Sequence, residues 1–227
     1  MRNLLVFLIF VSFGLSSTVN AQNLQGKFGL SGFGGLAFPM GDLADDDRDN
    51  DDALNRAIGP QFGATFEYFF IPNFGMGLQF NYISMGSVEY EWISDDPNQD
   101  DVLTAIMIGV HGKGVFIAEG PILPYGKFGF GMVMASGSDF PVRISSTTYA
   151  LTDAEIDTRF YLQLGLGINF FVSQQVSLFV EPTYNYLMLD GAEVTLTDIG
   201  DLEQEIEANY SYFGLTAGIS IWLGGTD

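Results

Sequence analysis

Seven ionisable side chains stand on the polar side of segments whose other side is apolar: Lys27, Glu67, His111, Lys113, Lys127, Arg159 and Glu181. Two are carboxylates, four are cations and one is the chain's single histidine. If those positions point into a closed interior, the ions cannot stand alone, because an unpaired buried charge carries a large desolvation cost. The expectation is that Glu67 and Glu181 pair with Lys113, Lys127 and Arg159. Two chemistries are open to such a cluster. It can be a structural plug of paired charges, or it can be a path for protons or ions.

A second constellation is the run Asp45-Asp46-Asp47-Arg48-Asp49-Asn50-Asp51-Asp52. Asp47, Asp49 and Asp51 offer oxygens at alternate positions, which hard cations such as calcium favour. The helix-loop-helix calcium pattern fails, however. Ala53 and Leu54 stand where a glycine would follow, and Ile58 occupies the twelfth position in place of Glu. The run reads as a solvated acidic loop with, at most, weak divalent binding. For catalysis, no Gly-x-Ser-x-Gly elbow occurs. Gly26-x-x-Gly29 and Gly32-x-Gly34-Gly35 open no helix, so they are not phosphate loops. A lone inward histidine is an ordinary hydrogen-bonded interior residue, so no enzyme and no cofactor is expected.

The elements that would carry these residues are strands. From about residue 27 onward, apolar residues recur at every second position in eight segments. The clearest is Phe160-Tyr161-Leu162-Gln163-Leu164-Gly165-Leu166-Gly167-Ile168-Asn169-Phe170, whose even positions are all large and apolar. A period of two gives a strand with one apolar face. The eight are expected at 27–38, 58–70, 74–92, 102–117, from about 123, 158–171, 176–187 and 209–223. Pro182 falls inside the seventh, where it cannot donate to a ladder, and predicts a bulge there. Residues 1–21 read as a secretory signal: Arg2, an apolar run from Leu4 to Leu15, and Val19-Asn20-Ala21 before the cleavage point. Residues 22–227 then form one domain. A chain with 21 Phe and 28 Gly suits a barrel with aromatics toward lipid and glycines in a crowded lumen. The formal net charge of −20 excludes nucleic acid as a partner class, and the absence of Cys excludes disulfide and thiolate chemistry.

The connections alternate short and long. Turns near 71–73, 118–122 and 172–175 are brief, whereas those near 39–57, 86–101, 135–157 and 188–208 are long. All but four of the 28 carboxylates lie in the long ones, the four being Glu67, Glu119, Glu181 and Asp227. Charge gathered at one end, strands of even number and short turns at the other end together predict an all-β, eight-stranded antiparallel up-and-down transmembrane barrel. The termini are then expected in the periplasm and the acidic loops outside. A soluble lipocalin-like barrel is the rival, but it would put its large side chains inside and spread its charges over the exterior.

On Pro124-Tyr125-Gly126-Lys127-Phe128-Gly129-Phe130-Gly131, the run from Gln163 to Asn169, and Val176-Ser177-Leu178-Phe179-Val180-Glu181-Pro182-Thr183-Tyr184, the chain resembles the small outer-membrane β-barrel proteins of Gram-negative bacteria, the OmpA/OmpX-like and Bacteroidetes PorT-like group. The resemblance implies insertion by the barrel-assembly machinery. The terminal aromatic that this machinery reads in many relatives is displaced here, since Trp222-Leu223 is followed by Gly224-Gly225-Thr226-Asp227. Relatives that deacylate lipid A use a His with a Ser two residues on, and Lys113 occupies that place after His111. The expected role is non-enzymatic, structural or in surface interaction, carried by a monomer. Its expected partners are outer-membrane lipid and lipopolysaccharide, with an extracellular protein or divalent cations at the loops. A narrow pore or small-ligand barrel is the alternative, and a lipid-modifying enzyme using His111 a third.

Overall fold

The computed structural model describes residues 23–44, 56–86, 102–117, 120–145, 148–190, 192–196, 202–206 and 209–225. The expected leader 1–21, the run containing Asp47, Asp49 and Asp51, and the far end of the third expected strand lie outside them. Ten strands follow in order: β1 (Lys27–Met40), β2 (Gly59–Ile71), β3 (Phe74–Gly86), β4 (Val102–Val115), β5 (Ile122–Ser145), β6 (Thr148–Phe171), β7 (Val176–Met188), β8 (Ala192–Leu196), β9 (Leu202–Ile206) and β10 (Tyr210–Gly224). A single turn of 3-10 helix at Gly41–Leu43 follows β1. Every pairing is antiparallel, and eight of the strands close a barrel. The closing joint runs from Lys27 opposite Gly224 to Met40 opposite Ser211.

Alternation in the sequence becomes alternation across the wall. Leu164 is 57% exposed and Gln163 only 2%. The same division holds for Phe66 against Glu67, Phe128 against Lys127 and Ile219 against Ser220. The outer surface is therefore a continuous band of Phe, Leu, Ile, Val and Met. In water it would be an apolar patch far beyond what a soluble monomer shows; in a bilayer it is the lipid face. This facing is the reverse of a soluble barrel's.

Two of the long connections are strands and not loops. β5 and β6 run on past the barrel and pair as far as Ser145 opposite Thr148, where 135–157 was expected to be a long connection. Within 188–208, β8 pairs with β6 (Ile156 opposite Val194) and β9 pairs with β8. The wall is thus extended on one side into a four-stranded sheet, in the order β5, β6, β8, β9. The expected bulge at Pro182 is absent. The β6–β7 register is the same on both sides of it, and the ladder instead skips from Gly165–Thr183 to Ile168–Val180. Proline there deletes a donor toward β6 without displacing the strand. Register shifts lie elsewhere; in one of them Asp157 and Thr158 together stand against Met134, between the Val133–Arg159 and Ala135–Ile156 pairs.

The lumen is not polar throughout. Toward the long connections, inward positions are filled by Ile83, Met85, Leu103, Met107, Val133, Tyr161, Leu187 and Tyr212, which form one buried apolar cluster. The outward positions are polar only at the rim, at Ser84, Thr104, Ser136 and Ser211, whereas beside Met107, Val133 and Tyr161 the outer face stays apolar with Ile108, Met132 and Phe160.

Candidate functional site

The charged residues that cluster in the lumen, with one tyrosine among them, come from four strands. β2 supplies Glu67, β4 supplies His111 and Lys113, β5 supplies Tyr125 and Lys127, and β7 supplies Glu181. All are buried. Lys113 Nζ lies 3.0 Å from Glu67 Oε1, and His111 Nε2 lies 3.5 Å from Glu67 Oε2. Lys127 is ion-paired with Glu181, whose other oxygen accepts a 2.8 Å hydrogen bond from the Tyr125 hydroxyl. Tyr125 also joins the two pairs, because the Lys113 ammonium sits 4.1 Å above its ring. Two carboxylates thus face two ammonium groups in one connected cluster, which offsets the desolvation that either pair would suffer alone.

Glycines make the room. A Cβ on Gly29 would come within 2.9 Å of Glu67 Cγ and of Trp222 Cζ3, and one on Gly77 within 2.8 Å of His111 Cε1. Both glycines stand level with the charged residues: Gly29 is opposite Glu67 and Gly77 opposite His111. A floor of aromatic and aliphatic side chains closes the short-turn end below the ions, with Trp222 packed against Phe69 and Phe171 at ring centroids 5.7 and 5.8 Å apart. Trp222 Nε1 donates to Ser177 Oγ at 2.9 Å. Above the ions lies a tier of amides: Gln79 donates to the Tyr161 hydroxyl at 2.7 Å and Gln163 to Asn185 at 2.8 Å. A void bounded by both ion pairs measures about 10 Å³, room for about one water.

Of the residues singled out in the sequence, five meet here: Glu67, His111, Lys113, Lys127 and Glu181. Arg159 does not join them. It stands six residues farther along β6 than Gly165, the residue opposite Lys127, or about 20 Å up the wall at ~3.3 Å per residue. Lys27 lies at the opposite rim, across from Gly224. Asp47, Asp49 and Asp51 lie outside the described residues. Among the described residues no three His, Asp or Glu side chains gather as a metal site would require. Sequence reading overlooked Tyr125 and Trp222. Their signal was the inward phase, two residues from Lys127 and between the exposed Ile221 and Leu223.

A closed antiparallel wall, a lipid-facing exterior and a filled lumen place the chain among outer-membrane barrels, and residues 6–220 match the model of the outer membrane protein beta-barrel domain. The chain belongs to this family. Solved structures agree on the fold of this outer-membrane β-barrel. Neisserial surface protein A superposes with a TM-score of 0.53 at 16% identity, covering 87% of this chain and 99% of that one. OprG from Pseudomonas aeruginosa gives 0.54 at 12%, covering 90% and 99%. A major outer membrane protein from Thermus thermophilus gives 0.52 at 13%, covering 87% and 99%. No curated protein matches this outer-membrane barrel by sequence.

Proposed function

We propose that this barrel is a non-enzymatic, monomeric outer-membrane protein that works at its long-connection end, in surface interaction or envelope integrity. On this reading residues 1–21 are a cleaved signal, both termini face the periplasm and the acidic connections face outward. The PorT-like subgroup, delivery by the barrel-assembly machinery and contact with lipopolysaccharide, divalent cations or an extracellular protein belong to the same proposal. The observation that carries it is the filled lumen. With Glu67–Lys113 and Glu181–Lys127 paired across the bore, and space between them for about one water, chemistry with the surroundings is left to the barrel's ends.

Two measurements test it. In planar bilayers the purified protein should give no stable unitary current; steady currents that change on Lys127→Gln would establish the narrow-pore reading instead. In whole cells a Cys at Asp49 should be labelled by an impermeant reagent and one at Asn73 should not, and the opposite result would invert the topology. The lipid-modifying alternative predicts altered lipid A in His111→Ala cells, whereas unchanged lipid A is expected here.

A further inference from the structure

The floor of the lumen is completed from outside the wall. Residues 23–26 lie ahead of β1, yet Leu24 is fully buried between the exposed Asn23 and Gln25. Its side chain joins the floor cluster, in which Phe69, Val115, Tyr125, Phe171 and Trp222 come from five different strands. One leucine thus stoppers the bore at its short-turn end. The ion cluster stands directly above. The Lys113 ammonium lies 4.1 Å from the centre of the Tyr125 ring and 5.7 Å from that of Trp222, and both rings belong to the floor that Leu24 completes.

The segment that carries Leu24 is built as a turn of its own. The Gln25 amide donates to Asn23 Oδ1 at 2.9 Å, and the Lys27 amide donates to the Leu24 carbonyl at 3.0 Å. Its bond to the wall sits at its root, where the Gly26 amide donates to the Phe69 carbonyl at 2.8 Å. Gly26 has φ of 73°, a left-handed conformation that glycine adopts freely and other residues do not. The chain bends there and turns Leu24 under the bore. Closure gains the burial of one leucine and costs the ordering of the few residues that carry it, two terms of similar size. The wall, in contrast, is held by long ladders on both sides of every barrel strand.

We propose that residues 23–26 form a strap with Leu24 as its stopper, which opens and closes the floor of the lumen while the barrel wall stays intact. Opening admits water from the short-turn end to the aromatic layer beneath the ion cluster. The two ion pairs above that layer stay in place.

The test uses the full-length barrel in detergent micelles, with Trp92→Phe so that Trp222 is the sole tryptophan of the chain's two. In this background the amides of Gly26 and Lys27 should exchange at least about tenfold faster than that of Ser31 in the β1 ladder, at a rate that low urea leaves unchanged, as a local opening requires. Leu24→Ser should raise the quenching of Trp222 by acrylamide several-fold. Gly26→Val should do the same with Leu24 still in the chain, because a β-branched residue is strained in the left-handed region. Leu24→Met, which can refill the stopper's place, should not. Leu24→Ser should also move the urea midpoint far less than Leu187→Ala does, since a segment that undocks ahead of unfolding withholds only its own docking from the rest. A midpoint shift equal to that of Leu187→Ala would make Leu24 a fixed part of the core and overturn the strap. Exchange at Gly26 and Lys27 as slow as at Ser31, or unchanged quenching in both strap variants, would overturn it as well.

Discussion

The two halves of the lumen solve one packing problem with opposite chemistry. Toward the short turns the bore is filled by ions, Glu67, Lys113, Lys127 and Glu181, each with a named partner. Toward the long connections it is filled by Met107, Val133, Leu187, Tyr212 and their neighbours. In the lipid band the outer face supplies the apolar surface, and the inside can be polar if every charge is paired. Toward the long connections the inside is apolar too, while Ile108, Met132 and Phe160 keep the outer face apolar beside it and only the rim carries the outward Ser84, Thr104 and Ser136.

The sharpest test of this contrast is the deletion of one charge. Lys113→Met should cost about 3–5 kcal/mol, because Glu67 is left buried without its main counter-ion. Adding Glu67→Gln should restore part of that loss, as urea unfolding in detergent would show. Full additivity of the two would mean that the ions do not act as a pair. In the upper half, Leu187→Ala should cost about 2–5 kcal/mol through the cavity it leaves, with no rescue by any change of charge and little dependence on salt. A lipid-face change comes next. Leu164→Arg should lose roughly 2–4 kcal/mol if this level is near the bilayer midplane, measured by folding into vesicles; a negligible loss would place the lipid boundary lower on the wall. The smallest effect expected is at the interrupted ladder. Pro182→Val should gain about 0.5–1.5 kcal/mol by giving β6 the donor it lacks beside Leu166, and slowed amide exchange at 166–168 would mark it.

Much of this was legible in the sequence, and the limits were physical. Alternation located all eight barrel strands and gave the facing of Gln163 and Leu164 correctly, because a period of two is written directly in residue types. The apolar upper lumen was harder to see. Ile83, Met85 and Leu103 look like any apolar strand residues, and period alone does not tell which face they occupy once the outward neighbours turn polar. β8 and β9 went unseen because a sheet above the membrane needs no apolar outer face, and Glu203 and Glu205 interrupt the hydrophobic pattern that marks a strand. Arg159 was assigned to the ion cluster on phase alone. Phase fixed its side of the wall but not its height, which puts it four residues beyond the level of His111 and six beyond that of Lys127 along β6.

The joint between β1 and β10 has a consequence for time. Lys27 is held by Gly224 and Met40 by Ser211, so the first and last strands of the barrel are neighbours in space and the most distant in the chain. No closed wall can exist until synthesis is finished. The entropic cost of closing the whole length falls on that single joint, and a topology so rich in distant contacts folds slowly. Closure of the wall therefore needs both ends of the barrel sequence at once.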